Sequence, residues 1–259
     1  MSWRLRIVAL AVLCMAAIAV AYAYGWSVRQ GPPVVEAPPP ALSADLLVLG
    51  FAPPAAGSYQ LERILHAPDG EVLDSDGTAR TLRDLTTGKV TVFSFIYTYC
   101  TDARGCPLAY ATLHALRDVA TRDPALRDRV RLVSMSFDPV SDTPAMMRSY
   151  GGADAQPGPV PWHFLTTGST RQLAPLLAGF GQDLSVLAPG EAGQRPPVLI
   201  HLLKVYLIDP AGVVREIYAP AYLHPRILRN DIVTLLMEGT GTLAARQAAA
   251  PGAIASMSY

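Results

Sequence analysis

Between Val90 and Arg117 the chain reads VTVFSFIYTYCTDARGCPLAYATLHALR, and no other stretch confines the fold as tightly. Val90 to Tyr97 is a short uncharged run rich in β-branched and aromatic residues, the pattern of a strand covered on both faces. Cys100 follows its end. Cys106 comes just before Pro107, and proline suits a first helical turn because its missing N–H has no partner to lose, so Cys106 is placed at or near a helix N-cap. Both sulfurs then lie near a helix N-terminus, whose partial positive charge lowers a thiol pKa and favours the thiolate. A thiolate attacks disulfides or binds a soft metal.

The flanking sequence alternates strand and helix. Ser58 to Leu65 and Glu71 to Leu73, separated by Pro68-Asp69-Gly70, read as short strands about a turn, with one helical turn at Leu82 to Leu85. Leu108 to Thr121 carries its apolar residues on one helical face, and Arg129 to Phe137 is the next strand, ended by Asp138-Pro139. Asp142 and Thr143 cap a helix that begins at Pro144 and reaches about Tyr150. Trp162 to Leu165 is a brief strand; Ser169 and Thr170 cap a helix over Arg171 to Phe180. Leu202 to Ile208 and Val213 to Tyr218 form a hairpin across Asp209-Pro210-Ala211-Gly212, and Pro225 opens a last helix to about Glu238. This order predicts an α/β domain with a mixed central sheet and helices on both faces, the thioredoxin-like arrangement.

The two ends differ from this body. Arg4 and Arg6 precede an uncharged apolar run from Ile7 to Tyr24, which keeps the basic end in the cytoplasm and sends the remainder of the chain across the membrane. The run is about as long as the roughly 17 to 25 residues that span a bilayer. Residues 1–26 are therefore expected to be an N-terminal membrane helix, with the domain in the periplasm of a bacterial inner membrane. Ala21-Tyr22-Ala23 also fits a signal cleavage site, which would release the domain as a periplasmic protein. Cys14 comes after the bulky Leu13, a poor fit to lipoprotein processing, and reads as a small apolar membrane residue. Residues 27–57, which include Pro38-Pro39-Pro40, read as a semi-rigid spacer; 58–238 is the domain; 239–259, mostly small residues, is expected to be disordered.

Tyr97-Thr98-Tyr99-Cys100, Cys106-Pro107-Leu108, Ser136-Phe137-Asp138-Pro139 with Asp142-Thr143-Pro144, and His201 ahead of Tyr206-Leu207-Ile208-Asp209-Pro210-Ala211-Gly212 occur in an order that resembles the SCO/SenC family. The likeness runs from about Tyr59 to Leu236. It implies a membrane-tethered thioredoxin-like domain that binds a copper ion through two cysteines and a distant histidine and helps assemble the copper centre of cytochrome c oxidase. Carried over by position, the metal ligands are Cys100, Cys106 and His201, and the partner is a copper-acceptor protein, an oxidase subunit above all. The chain departs from the pattern twice. Five residues, Thr101 to Gly105, separate the cysteines where the family has three, and Ile200 precedes His201 where the family often has aspartate.

The residues also allow a chemical argument. Two thiolates and an imidazole suit Cu(I) and tolerate Cu(II), whereas structural zinc normally takes four protein ligands. If Cys100 and Cys106 cycle to a disulfide, they form the redox pair of a thiol-disulfide oxidoreductase that keeps a copper-acceptor site reduced, which is the alternative function. A peroxide-reducing or redox-sensing relative is a third class. A purely structural Cys100–Cys106 disulfide closes so short a loop that it adds about 2 kcal/mol, little for a domain with a full core. A lone histidine such as His201 at the start of an apolar strand is by itself more often a packed residue than a ligand. His66, His114, His163 and His224 read as structural or surface residues, Met135, Met146 and Met147 as core, Asp102 as a loop-solvating residue, and Asp138 and Asp142 as turn and cap. Lys+Arg and Asp+Glu balance at 21 each, so no global field points to nucleic acid.

Overall fold

The computed structural model describes Met15, residues 49–188 and residues 198–241. The chain divides into two units, residues 1–41 and residues 42–259. Of the first, Met15 alone is described, and it is helical. The expected membrane segment with Cys14, most of the spacer and nearly all of the tail lie outside the described residues. Among the described residues no helix is long and apolar enough to cross a membrane.

In the second unit the elements run in the order β1 (Leu65–His66), β2 (Glu71–Asp74), β3 (Ala79–Thr81), α1 (Leu82–Thr86), β4 (Val90–Ile96), α2 (Cys106–Arg122), β5 (Val130–Ser136) and α3 (Pro144–Gly151). Then come β6 (Trp162–Thr166), α4 (Thr170–Gly179), β7 (Ser185–Ala188), β8 (Val198–Ile200), β9 (Val205–Ile208), β10 (Val213–Tyr218) and α5 (Pro225–Gly239). Eight strands make one mixed sheet in the order β1-β10-β9-β4-β5-β6-β2-β3, and β7 pairs with β8 as a separate antiparallel ribbon. β4, β5 and β6 are parallel; β9 runs antiparallel to β4.

All seven residues of β4 are buried, because the sheet is covered on both sides. Val90, Val92 and Ile96 point into a core shared with Leu113 and Leu116 of α2 and Leu228 and Ile232 of α5. Phe93 and Phe95 point the other way, onto Leu82 and Leu85 of α1, Leu173 and Leu176 of α4, and Phe180. The period-two alternation of a strand thus feeds two cores. The helix starts obey local chemistry: Thr143 accepts from the Met146 N–H, Ser169 from that of Gln172, and His224 from that of Arg226.

Three expectations change. The strand placed at Ser58 to Leu65 shrinks to Leu65–His66, because the preceding residues are held by α5 instead of by the sheet: the Tyr59 hydroxyl bonds Asp231, and the Leu61 N–H donates to Glu238 at 3.4 Å. The first hairpin strand starts at Val205, not Leu202. β3, β7 and β8 were not anticipated, being too short to show a period.

Arg215 clamps the hairpin to its surroundings. It sits at an irregularity in the β9–β10 register and turns inward, 9% exposed. Its guanidinium donates to Asp209 at 3.2 Å, to Glu238 at 2.8 Å, and to the Leu61 and Glu62 carbonyls. Asp209 also organises the turn, accepting from the Ala211 and Val213 N–H groups, while Gly212 takes the positive φ of 80° that a side chain disfavours. Arg215→Ala takes the buried guanidinium from both carboxylates and leaves Asp209 its backbone donors and the more distant Arg63 at 3.8 Å, so urea unfolding should show a loss of about 3 kcal/mol, the lower end for breaking a buried ion pair; an unchanged midpoint would contradict this clamp.

Candidate metal and redox site

The site forms where β4 runs out. After Ile96 the chain turns back, with the Cys100 N–H on the Tyr97 carbonyl at 3.2 Å. In a second turn the Gly105 N–H donates to the Asp102 carbonyl at 2.8 Å and the Arg104 N–H to the Asp102 carboxylate at 3.0 Å. These residues absorb the long cysteine spacing, and Asp102 is a turn-former. Gly105 is the N-cap of α2, so Cys106 lies one residue inside the helix, just before Pro107. No side-chain oxygen caps this helix. The Cys100 sulfur lies against this bare helix start, and the Cys106 amide helps to lower its pKa. Gly105 permits the approach: a Cβ there would lie 3.3 Å from the Cys100 sulfur and 3.2 Å from the Asp102 carbonyl oxygen.

Both cysteines are free thiols, and their environments push them apart. The Cys106 thiol, the His201 ring, the Tyr97 hydroxyl and the Cys106 N–H all favour the Cys100 thiolate. With the Cys106 bond the largest influence, they hold the Cys100 pKa down to about 4 against the opposing effect of burial. Cys106 is 1% exposed, and burial together with the neighbouring Cys100 thiolate pushes its pKa well above the usual thiol value. The expectation that the helix end would favour both thiolates holds for Cys100 alone. Desolvation outweighs the helix dipole at Cys106. The pair therefore combines a half-buried Cys100 whose pKa is lowered with a buried Cys106 whose pKa is raised.

His201 comes after β8 rather than opening the hairpin strand. Its ring centroid lies 4.5 Å from that of Phe137 and 5.8 Å from that of Tyr97, and the ring helps to lower the Cys100 pKa. Its Nδ1 is buried without a hydrogen-bond partner. The three sequence candidates therefore meet as a chain of contacts with Cys100 in the middle. They are not gathered about a common point: among the described residues no three His, Cys, Asp or Glu side chains form a ready-made metal cage. The orphaned Nδ1 and the soft sulfurs nonetheless fit a thiophilic ion, since a buried imidazole nitrogen without a partner is costly and a metal bond removes that cost.

Beneath the turn lies a polar network whose importance the sequence did not reveal. Asp142 is fully buried and accepts from the Thr98 N–H at 3.1 Å, the Thr98 hydroxyl at 2.5 Å and the Ser136 hydroxyl at 2.5 Å. Burial raises its carboxyl pKa despite these donors. Asp138 takes the Tyr99 hydroxyl at 2.5 Å while its N–H donates to Ser136 at 2.9 Å. Asp142, read from sequence as part of a helix cap, leaves that task to Thr143 and grips the Cys100 turn instead. The motif Ser136-Phe137-Asp138-Pro139 with Asp142-Thr143-Pro144 was the signal available.

The other candidates stay apart from the site. His114 pairs with Asp154 and His163 with Asp74, both at 2.8 Å, and His66 lies in β1. Met135 and Met147 are core, whereas Met146 is 37% exposed.

The fold and this site define a thioredoxin-like dithiol protein with an auxiliary histidine. Residues 62–237 match the sequence model of the SCO1/SenC family, and the chain belongs to that family. Similar solved structures include a SCO1/SenC family lipoprotein from Bacillus anthracis, 25% identical, covering 70% of this chain and 95% of its own, with a TM-score of 0.52. Copper-bound yeast Sco1 is 18% identical, with 73% and 97% covered and a TM-score of 0.53. BsSco, described as having a disulfide switch and as a member of the Sco family of cytochrome c oxidase assembly proteins, is 21% identical, with 69% and 98% covered and a TM-score of 0.51. Comparison with curated proteins gives no match.

The geometry yields two testable outcomes. In the reduced native protein, iodoacetamide should modify Cys100 at a rate that holds from about pH 8 to about pH 5, because the thiolate persists there, and that falls by half near pH 4. Cys106 should react only on unfolding, and a Cys100 rate that climbs tenfold per unit through about pH 8 would contradict the assignment. Asp142→Ala leaves the Thr98 N–H and the Ser136 hydroxyl without their acceptor, and should lower unfolding free energy by at least about 2 kcal/mol in urea.

Proposed function

We propose that this protein is a copper chaperone that binds Cu(I) through Cys100, Cys106 and His201 and hands it to an exported copper-acceptor protein, in the first place a cytochrome oxidase subunit. In this reading the N-terminal segment tethers the domain to the bacterial inner membrane, or is cleaved to leave it in the periplasm. Family membership supports it, as does similarity to copper-bound yeast Sco1 and to BsSco, a member of a family of oxidase assembly proteins. The observation that favours it is that Cys106 and His201 both lower the Cys100 pKa, while Nδ1 of His201 is left buried and unpartnered.

The chemistry of delivery rests on the donor set. Two sulfurs and an imidazole leave Cu(I) an open position through which an acceptor's ligands exchange. Cys106 must lose its proton to ligate, so loading releases a proton. Oxidation of the two thiols by a partner's disulfide removes two electrons and forms the Cys100–Cys106 disulfide; the partner's cysteines are reduced, and the copper ligands are lost. Loading and redox state are then one linked equilibrium.

A second reading, thiol-disulfide oxidoreductase, has its own support in the opposed thiols. Cys100, a half-buried thiolate, is suited to attack a client disulfide, forming a mixed disulfide and expelling a client thiolate. Cys106, buried and protonated, then gives up its proton and attacks the Cys100 sulfur, which releases the second client thiol.

Competition with a coloured Cu(I) chelator on the fully reduced protein distinguishes the two. One ion should bind per chain, with affinity reduced at least tenfold in His201→Ala, the scale of losing a metal-site contact. If the folded, reduced protein does not compete for Cu(I), the chaperone reading fails and the cysteines are a redox pair alone.

A further inference from the structure

A second concave site shares no residue with the one at Cys100. It forms where residues 51–61 run beside β10 and α5. Polar contacts fasten this segment: the Asn230 amide donates to the Pro54 carbonyl at 2.7 Å, the Gly57 N–H to the Thr234 hydroxyl at 2.9 Å, and the Tyr59 hydroxyl to Asp231. The pocket left against the segment is about 370 Å³, a size that suits a small ligand. Four aromatic rings line it, those of Phe51, Tyr59, Tyr218 and Tyr222, together with the carboxylates of Glu216 and Asp231. Phe51 and Tyr222, 47% and 59% exposed, are inclined at 62° with ring centroids 6.4 Å apart. Tyr218 and Asp231 are buried, and the Tyr218 hydroxyl donates to Asp231 at 2.6 Å. No lysine, arginine or histidine is among the described residues of the lining, and among the described residues neither carboxylate forms an ion pair.

We propose that this pocket, walled by Phe51, Tyr59, Tyr218 and Tyr222 and charged by Glu216 and Asp231, binds a small organic cation through a quaternary ammonium group. Carboxylates set among low-dielectric walls focus a negative potential on the space between them. Ring faces carry the same sign and attract a cation that comes within about 6 Å of a centroid. The supply of acceptors then selects the kind of cation. Both Asp231 oxygens accept from tyrosine hydroxyls, and Glu216 accepts the Ile217 N–H through Oε1 at 2.9 Å. A guanidinium brings five N–H donors, and each one buried without an acceptor is costly. A trimethylammonium group brings none, and its methyl groups pack on the rings while its charge faces the carboxylates. Burial pushes the Asp231 carboxyl pKa up, and a cation held beside it acts in the opposite direction. The pocket serves this role whichever reading of the cysteines holds.

Isothermal titration of choline chloride into the full chain at fixed ionic strength tests this. One saturable site per chain is expected. 3,3-Dimethylbutan-1-ol, which has the shape of choline without its charge, should bind at least about tenfold more weakly, and methylguanidinium should also bind more weakly than choline. Tyr222→Ala, at an exposed wall, should weaken choline about fivefold, the scale of one cation–π contact. Glu216→Gln keeps the shape and the bond to the Ile217 N–H while removing the charge, and should weaken choline about fivefold or more. Near-ultraviolet circular dichroism verifies that each variant is folded, and Phe51→Ala replaces Tyr222→Ala if the latter is not. Glycerophosphocholine separates two sources of the same group. Its phosphate meets Glu216 and Asp231 unfavourably, so choline should bind the tighter of the two, which assigns the pocket to a free solute; the reverse order assigns it to a lipid headgroup, and both orders uphold a quaternary ammonium site. The absence of saturable binding, equal binding of the uncharged alcohol or of methylguanidinium, or folded variants that bind choline as the wild type does, overturns the proposal.

Discussion

A buried carboxylate holds the end of the central strand, and the site depends on it. β4 enters the turn at Tyr97 from a core that excludes water on both faces, so the first free backbone donor beyond it needs a partner inside the protein. Asp142 supplies that partner to the Thr98 N–H and takes the Thr98 and Ser136 hydroxyls as well. Because β5 runs parallel to β4 in register, Ile96 opposite Ser136, the end of one strand carries the groups that fix the end of the other. The turn thus fixed aims Cys100 at the first amides of α2. Replacing the network with apolar packing would leave the Cys100 loop free to move, and every relation among Cys100, Cys106 and His201 would loosen with it.

On this support the two sulfurs are chemically unequal. The Cys100 thiolate is favoured by a helix N-terminus, a thiol, an imidazole and a phenol, whereas Cys106 is shut into the core beside Leu108 and Ala109. One sulfur is ready to act and the other is held in reserve. In the proposed readings the same inequality would serve metal carriage and disulfide exchange alike: a half-buried thiolate is the first ligand to meet an incoming ion and the first nucleophile to meet a disulfide.

What the sequence revealed was whatever is written locally. Pro107, Pro144 and Pro225 mark helix starts, Ser169 marks a cap, and the unbroken apolar run of β4 marks the centre of the sheet, because each works through residues within one turn or one strand. The pair Cys100 and Cys106 was legible for the same reason. His201 was identified by its position in a family pattern; nothing in its neighbourhood of the chain shows that it meets Phe137 and Cys100. The role of Asp142 was hidden because its partners lie 44 and 6 residues away, and an aspartate before Thr143-Pro144 reads as a cap. The opposed thiols were hidden because burial, which the sequence does not give residue by residue, outweighs the helix dipole at Cys106. β3, β7 and β8 escaped for want of length.

The central claim is that one copper ion sits on Cys100, Cys106 and His201 together. X-ray absorption at the copper edge of the reduced protein loaded with one equivalent of Cu(I) tests it most directly. The account predicts a first shell of two sulfurs and one nitrogen, with the outer scattering of an imidazole ring that disappears when His201 is replaced. A shell of sulfur alone, or an imidazole signal that survives replacement of His201, would contradict it.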